Sequence, residues 1–296
     1  MPTMDDPLAG LEVINWSELE HAYGPSDDVP ILLRQLQSAD PEVYLSALDK
    51  LLSSIYHQGS RYSASVEAVP FLYSLINCKA TMQRESLIWL VTSLAVGHPD
   101  WSVPHGIDLA TWQKQISELQ GKGRDYKLHE YNTYQAAERG LPSMVRCLGD
   151  ESASVRAMAA HALAFFPRQS ETSVAVLTDL FDRETSSAVR GTIVLAIAVM
   201  QAPIDRNAAK SAIMQQVKDY YEAVGDEDGA DKLVRWCCAT ALAILDPGMK
   251  EHMDEVRRVF RDEAVLSDLE ARVAGTDFPF AMLDLRNLAK AVLARF

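Results

Sequence analysis

His57, Gln58 and Tyr62 stand within one short stretch, HQGSRY, directly after the apolar run ALDKLLSSIY. An imidazole titrates near neutral pH and can move a proton or hold a metal, and a neighbouring phenol can donate a hydrogen bond. Two other loops carry the same residue types: HAYGPSDD contains Tyr23, and VGHPDW contains His98 and Trp101. If the helices bearing these loops are in phase, Tyr23, His57, Gln58, Tyr62 and His98 line one surface for a ligand or partner. No carboxylate stands at a spacing that would orient either imidazole, so a plainer reading comes first. In that reading His57 caps the end of its helix, Gly59 makes a left-handed turn, and Tyr62 packs with its hydroxyl on a backbone carbonyl.

Other chemical signals are weaker. The segment HPDWSVPHGIDLATW (98–112) is long for a connection and carries Trp101 and Trp112, either as binding anchors or as a cover over an apolar groove. His129-Glu130 sits on a helical pattern, but a zinc-protease helix needs a second His four residues on, where this chain has Thr133. The acidic stretch EAVGDEDGADK (222–232) lacks the ligand order of a calcium loop and reads as a solvated connection. Cys78, Cys147, Cys237 and Cys238 show no metal-binding spacing and read as buried free thiols in a reducing compartment. Neither a phosphate-cradling glycine loop nor a nucleophile elbow occurs, and nothing calls for a metal or cofactor.

The 296 residues carry 28 Lys plus Arg against 41 Asp plus Glu, a formal charge of −13. Such a field repels phosphate backbones, which disfavours nucleic acid, and steers a basic protein partner inward. MPTMDDPLAG has no basic and apolar regions of a signal peptide, and runs such as TIVLAIAVM are too short to span a bilayer. A cytoplasmic chain without membrane contact, monomeric or a low-order oligomer, is the expectation.

These side chains must be positioned by helices. Apolar residues recur at i, i+3, i+4 and i+7, and almost nothing alternates as a half-buried strand would. Helices are expected to start near Val29, Pro41, Ser63, Met82, Leu109, Tyr126, Ala153, Glu171, Ser187, Asn207, Asp231, Lys250 and Phe280. Asp40 before Pro41 is a cap followed by proline in the first turn, and Gly59, Gly97, Gly149 and Gly225 mark expected helix ends.

Repetition then sets the architecture. SVRAMAAHALAFF (154–166), AVRGTIVLAIAVM (188–200) and LVRWCCATALAIL (233–245) align without gaps; Val155 to Val189 is 34 residues and Val189 to Val234 is 45. DPEVYLSALDKLL (40–52) fits the same template, with Tyr44 where the others carry Arg156, Arg190 and Arg235. Small residues let helices approach and larger aliphatic ones fill the space between pairs, so each pair needs its neighbours. The three arginines, with Asp150, Glu151 and Glu184 in preceding turns, predict a structural ladder of ion pairs between layers.

This D/E-x-VR-x-x-A-x-x-A-L pattern resembles HEAT repeats, including the phycobilin-lyase type. WSELEHAYGPSDDVPILLRQLQS, HQGSRYSASVEAVPFLYSLI, LAVGHPDW and GLPSMVRCLGDESASVRAMAAHALAFFP resemble a widespread group of microbial HEAT-repeat proteins. The resemblance implies an all-α solenoid of stacked antiparallel helix pairs, read as a single domain over 1–296. Its parts would be irregular repeats over about 15–125, regular repeats over about 126–246 and capping helices over about 250–296. Known HEAT proteins are mostly binding scaffolds, which implies a non-catalytic adaptor, chaperone-like or neutralising protein holding a protein partner by its concave face or loop edge. Di-iron HEAT hydroxylases use repeated His-Glu pairs, whereas this chain has one. The alternatives are an enzyme or small-ligand site at His57 and Tyr62, a HEAT-like DNA glycosylase, which the net charge disfavours, or a structural subunit docking through an exposed apolar surface at Phe278 to Phe296.

Overall fold

The computed structural model describes residues 6–119, 126–205, 207–225, 231–246, 248, 250, 252–281 and 284–295. In chain order its helices are α1 (Val29–Gln35), α2 (Pro41–Ser54), α3 (Ser63–Asn77), α4 (Arg84–Val96), α5 (Pro99–Ser102), α6 (Leu109–Leu119), α7 (Tyr126–Arg139) and α8 (Leu141–Cys147). They continue as α9 (Ala153–Leu163), α10 (Ser170–Arg183), α11 (Ser187–Gln201), α12 (Ala208–Val224), α13 (Lys232–Leu245), α14 (Met253–Arg261), α15 (Glu263–Val273) and α16 (Leu285–Leu293). The class is all-α, of the solenoid kind in which helix pairs stack. Two small antiparallel hairpins interrupt it, β1 (Glu20–His21) with β2 (Gly24–Pro25) and β3 (Tyr56–His57) with β4 (Ser60–Arg61). Two-residue strands are too short for alternation to announce them, which is why the periodicity predicts only helices there.

The chain divides into two compact units, Met1–His98 with Leu109–Ser143, and Pro99–Asp108 with Met144–Phe296. In the first unit α1 lies on α2, and α3 packs against both α4 and α7. Tyr73 of α3 presses its ring into the space over Gly140, where a Cβ would come within 2.0 Å of it, and donates its hydroxyl to the Ala137 carbonyl at 2.7 Å. Tyr44, at the template position of the arginines, is fully buried and donates to the Gln83 carbonyl at 3.2 Å. Burial pushes its phenol well above the ordinary range, with Glu85 adding to the effect.

In the second unit α9, α11 and α13 form successive layers, with α10 and α12 packed against α11 and α13 respectively. Each layer helix begins with the same device: Ser152, Ser186 and Asp231 accept the backbone N–H of Val155, Val189 and Val234. Such a cap contributes about 1 kcal/mol. Close approach is literal at Gly191, where an added Cβ would stand 2.8 Å from Cys237 Sγ of the next layer.

Several expectations are corrected. The HQGSRY stretch is a hairpin: Gln58 (φ 51°) and Gly59 (φ 83°) form its two-residue turn, and both positive angles match the turn type that suits the twist of paired strands. Gly149 keeps a negative φ, so it is no left-handed cap. The expected helix from Lys250 is split at Asp262, which ends α14 and caps α15. The one from Phe280 is a short tight turn followed by α16. A further break at Gly140 separates α7 from α8. The apolar C-terminal segment is folded inward, with Phe278, Phe280, Leu285, Leu288 and Val292 all buried; Phe296 lies outside the described residues. Cys78 is half-buried rather than buried, and residues 226–230 of the acidic stretch lie outside the described residues.

Candidate functional site

The first unit gathers its unusual side chains where α2 ends and α3 begins. The β1–β2 hairpin is pinned there by two bonds, and a third ties it to the segment before it. Ala22 N–H donates to the Ser54 carbonyl at 3.1 Å, Glu20 N–H to Ser63 Oγ at 2.8 Å, and Ser26 Oγ to the Trp16 carbonyl at 2.8 Å. His21 locks the loop from within: its Nδ1 accepts from Tyr23 N–H at 3.0 Å, so its Nε2–H donates to Asp28 at 2.9 Å. The β3–β4 hairpin joins α2 to α3 directly.

This arrangement places Tyr23 against His57. Their rings meet edge to face at 5.5 Å, and Tyr23 Oη stands 3.4 Å from His57 Nδ1. The nearer partner of that nitrogen is the Ser53 carbonyl at 3.0 Å. Nδ1–H therefore donates to the end of α2, where the partial negative charge of a helix C-terminus favours it, and Nε2 keeps its lone pair. Gln58 lies exposed at the hairpin turn. The edge thus offers an imidazole acceptor, a phenol and an amide, a set suited to polar recognition. Among the described residues His57 bonds to Ser53 and Tyr23 and to no carboxylate that would orient it for proton transfer.

The other predicted residues are placed differently. Tyr62 starts α3; its N–H donates to Ser65 Oγ at 2.8 Å, and Ser65 N–H returns to its carbonyl. Its hydroxyl makes no hydrogen bond among the described residues, so the expected bond to a carbonyl is not formed, and no ring contact joins it to Tyr23 or His57. His98 joins the β3–β4 hairpin from the other direction: it meets Tyr56 at 6.3 Å, and a Cβ on Gly59 would fall 2.6 Å from its Nε2. Trp101 is 77% exposed and belongs to the second unit. Trp112 packs on Tyr131 and Tyr134 at 5.7 and 5.3 Å.

Arg61, which the sequence reading passed over, anchors the β3–β4 hairpin. Its buried guanidinium donates to the Gly59 carbonyl and stands 3.7 Å from the Glu130 carboxylate of α7, while Nε has no partner. Burial depresses its pKa, and Glu130 and Tyr56 oppose that. The only signal in the sequence was an arginine two residues after a Gly turn. His129, the other half of the His-Glu pair, contributes its carbonyl to Thr133 Oγ at 2.7 Å. No cluster of three or more His, Cys, Asp or Glu side chains able to hold a metal occurs among the described residues.

The three template arginines of the second unit differ in what they hold. Arg156 makes a two-pronged bond to Glu184 and also donates to the Asp150 and Glu151 carbonyls at 2.8 and 3.0 Å. Arg190 stands 3.9 Å from Asp231 and lies 4.4 Å over the Phe181 ring. Arg235 donates to the Tyr221 and Gly225 carbonyls and lies 3.9 Å over Tyr221. Two rungs thus reach a carboxylate at the next layer's N-terminal turn, and the third reaches carbonyls at the end of α12.

Among the described residues no helix is long and apolar enough to cross a membrane. No curated protein and no solved structure matches the chain. Residues 130–198 match the family model described as HEAT repeats. That segment contains the capped, arginine-bearing helix α9 and nearly all of α11, and over it the chain is similar to HEAT repeats.

Proposed function

We propose that this chain is a non-catalytic interaction module that holds a protein partner at the hairpin edge of its first unit. HEAT repeats generally mediate protein–protein interaction, which supports the class. The observation that carries the location is the Tyr23–His57 pair. Two hairpins from separate stretches are fastened to the same helix ends and present a 68% exposed Tyr ring braced by an imidazole. A rigid, amphipathic aromatic of this kind suits an interface because little side-chain freedom is lost on binding.

The test is capture of partners from native lysate at low and moderate salt, with the wild type beside a Tyr23→Ala/His57→Ala variant shown to be folded by circular dichroism. A stoichiometric partner retained by the wild type and lost by the variant is expected. Retention by both removes the edge from the interface, and retention by neither overturns the module reading.

A further inference from the structure

The outer face of α1 has the chemistry of a second docking surface. Val29, Leu32, Leu33 and Leu36 point into the unit and are buried, which leaves Asp28, Ile31 and Arg34 exposed along the opposite face at spacings of three. Both ends of that face are tied to flanking segments. Asp28 holds the hairpin of His21 and Tyr23 at 2.9 Å, and Arg34 Nε donates to Glu12 at 3.2 Å, which sets the Glu12–Val13 segment at the Arg34 end of the face. Val13 is 86% exposed and Ile31 59% exposed. Of eight large hydrophobic side chains exposed among the described residues, five fall between Val13 and Leu45. Val13 and Ile31 are thus large apolar groups held in solvent on an acidic segment, and a covering partner would bury them.

Charge identifies the partner's chemistry. Residues 6–40 contain seven carboxylates and one cation, a net −6 within a chain whose total is −13. That cation, Arg34, is already engaged by Glu12 and Asp6. A second copy of the same face would meet equal charge, and anionic lipid or nucleic acid would be repelled.

We infer that the α1 face, centred on Ile31 and Val13 and rimmed by carboxylates, binds a cationic amphipathic polypeptide segment of another protein. Its apolar side chains lie over Ile31 and Val13, and its Lys or Arg side chains meet the rim. This face is distinct from the edge at His57, and the inference stands or falls separately from that reading.

The experiment uses the full chain and a fluorescent peptide of Leu and Lys at helical spacing, read by anisotropy at low and high salt. A peptide of identical composition, scrambled so that Leu falls on all sides, serves as the comparison. Saturable binding of the helical peptide, with the scrambled one weaker by about tenfold or more, is expected. Ile31→Ser and Val13→Ser, which leave charge unchanged, each lower affinity by roughly fivefold or more. Glu18→Gln/Asp27→Asn flattens the salt dependence, whereas Glu222→Gln/Glu270→Gln in the second unit removes the same charge with no effect. His57→Ala/Tyr62→Ala leaves the peptide bound, so loss of lysate partners by an edge variant is distinguishable from failure here. Equal binding of both peptides, or equal effects of the two charge variants, shows diffuse attraction to an acidic protein and overturns the inference, as does absence of binding.

Discussion

Arg156 grips Glu184 with two parallel hydrogen bonds, Nε to Oε2 at 2.7 Å and Nη2 to Oε1 at 3.0 Å. The same carboxylate accepts the Thr185 and Ser186 N–H groups at 2.9 Å, just ahead of α11, so one side chain joins two layers of the stack.

Removing one member strands the other. Arg156→Ala leaves a carboxylate with 3% side-chain exposure unpaired and should cost about 3 kcal/mol. Glu184→Gln keeps part of the hydrogen bonding and should cost less. Burial raises the Glu184 pKa, but the Arg156 bond and the Ser186 and Thr185 N–H groups outweigh it and hold the carboxyl below its ordinary value. Its stabilisation is therefore present above the unfolded pKa and lost as pH falls through the folded one. Urea midpoints at neutral and acid pH, compared between wild type and Glu184→Gln, read both effects.

His161 is the least comfortable polar group in the second unit. It is 1% exposed, neither ring nitrogen has a partner, and it is wedged edge-on between Phe165 and Phe280 at 5.0 and 4.7 Å. Burial pushes its pKa down to about 3, so the folded protein keeps it neutral while the unfolded chain takes up a proton below its ordinary value of 6.5. Stability must then fall as pH drops from the unfolded pKa toward the folded one, by up to roughly 4 kcal/mol. His161→Leu should abolish that slope and, by removing an unsatisfied polar group, stabilise the protein by about 1 kcal/mol at neutral pH. Thermal unfolding across that pH range checks both.

The β3–β4 turn allows a two-way test. Gly59→Ala forces a side chain into a positive φ and against His98, and should cost about 2 kcal/mol or more. His98→Ala on the Gly59→Ala background should recover the steric part and leave the conformational part. Gln58→Asn, suited to its own positive φ and to the glycine after it, should stabilise by about 0.5 kcal/mol. Denaturant melts of the three variants beside the wild type measure these terms.

Gly191 and Cys237 form a size-matched pair between α11 and α13. Gly191→Ala should destabilise by about 1–3 kcal/mol through overpacking, despite alanine's better helix propensity. Added to Cys237→Ala it should cost less, because the sulfur it meets is gone. A double-mutant cycle with no coupling would contradict the close approach.

Thiol titration separates the cysteines. Burial pushes Cys237 well above its ordinary range and Cys238 up to about 12, so neither should react with a disulfide reagent in the folded state. Half-buried Cys78 should be modified first, with Cys237 and Cys238 appearing only on unfolding.

The sequence by itself determined the helical layers of the second unit. Helix formation and capping are local, so the Val-Arg repeats and the Ser152, Ser186 and Asp231 caps that start them were already present in the order of residues. Tight turns with two-residue strands left no period to read, and Gly140 and Asp262 each end one helix and begin another without a long break. Only the tertiary structure decided that Tyr23 meets His57 while Tyr62 does not, that Phe280 is buried against His161, and that Arg156 grips a carboxylate, Arg190 a ring and a more distant carboxylate, and Arg235 a ring and carbonyls. Those outcomes depend on which helix ends come together, and the geometry of packing sets that, while the local preference of any one segment does not.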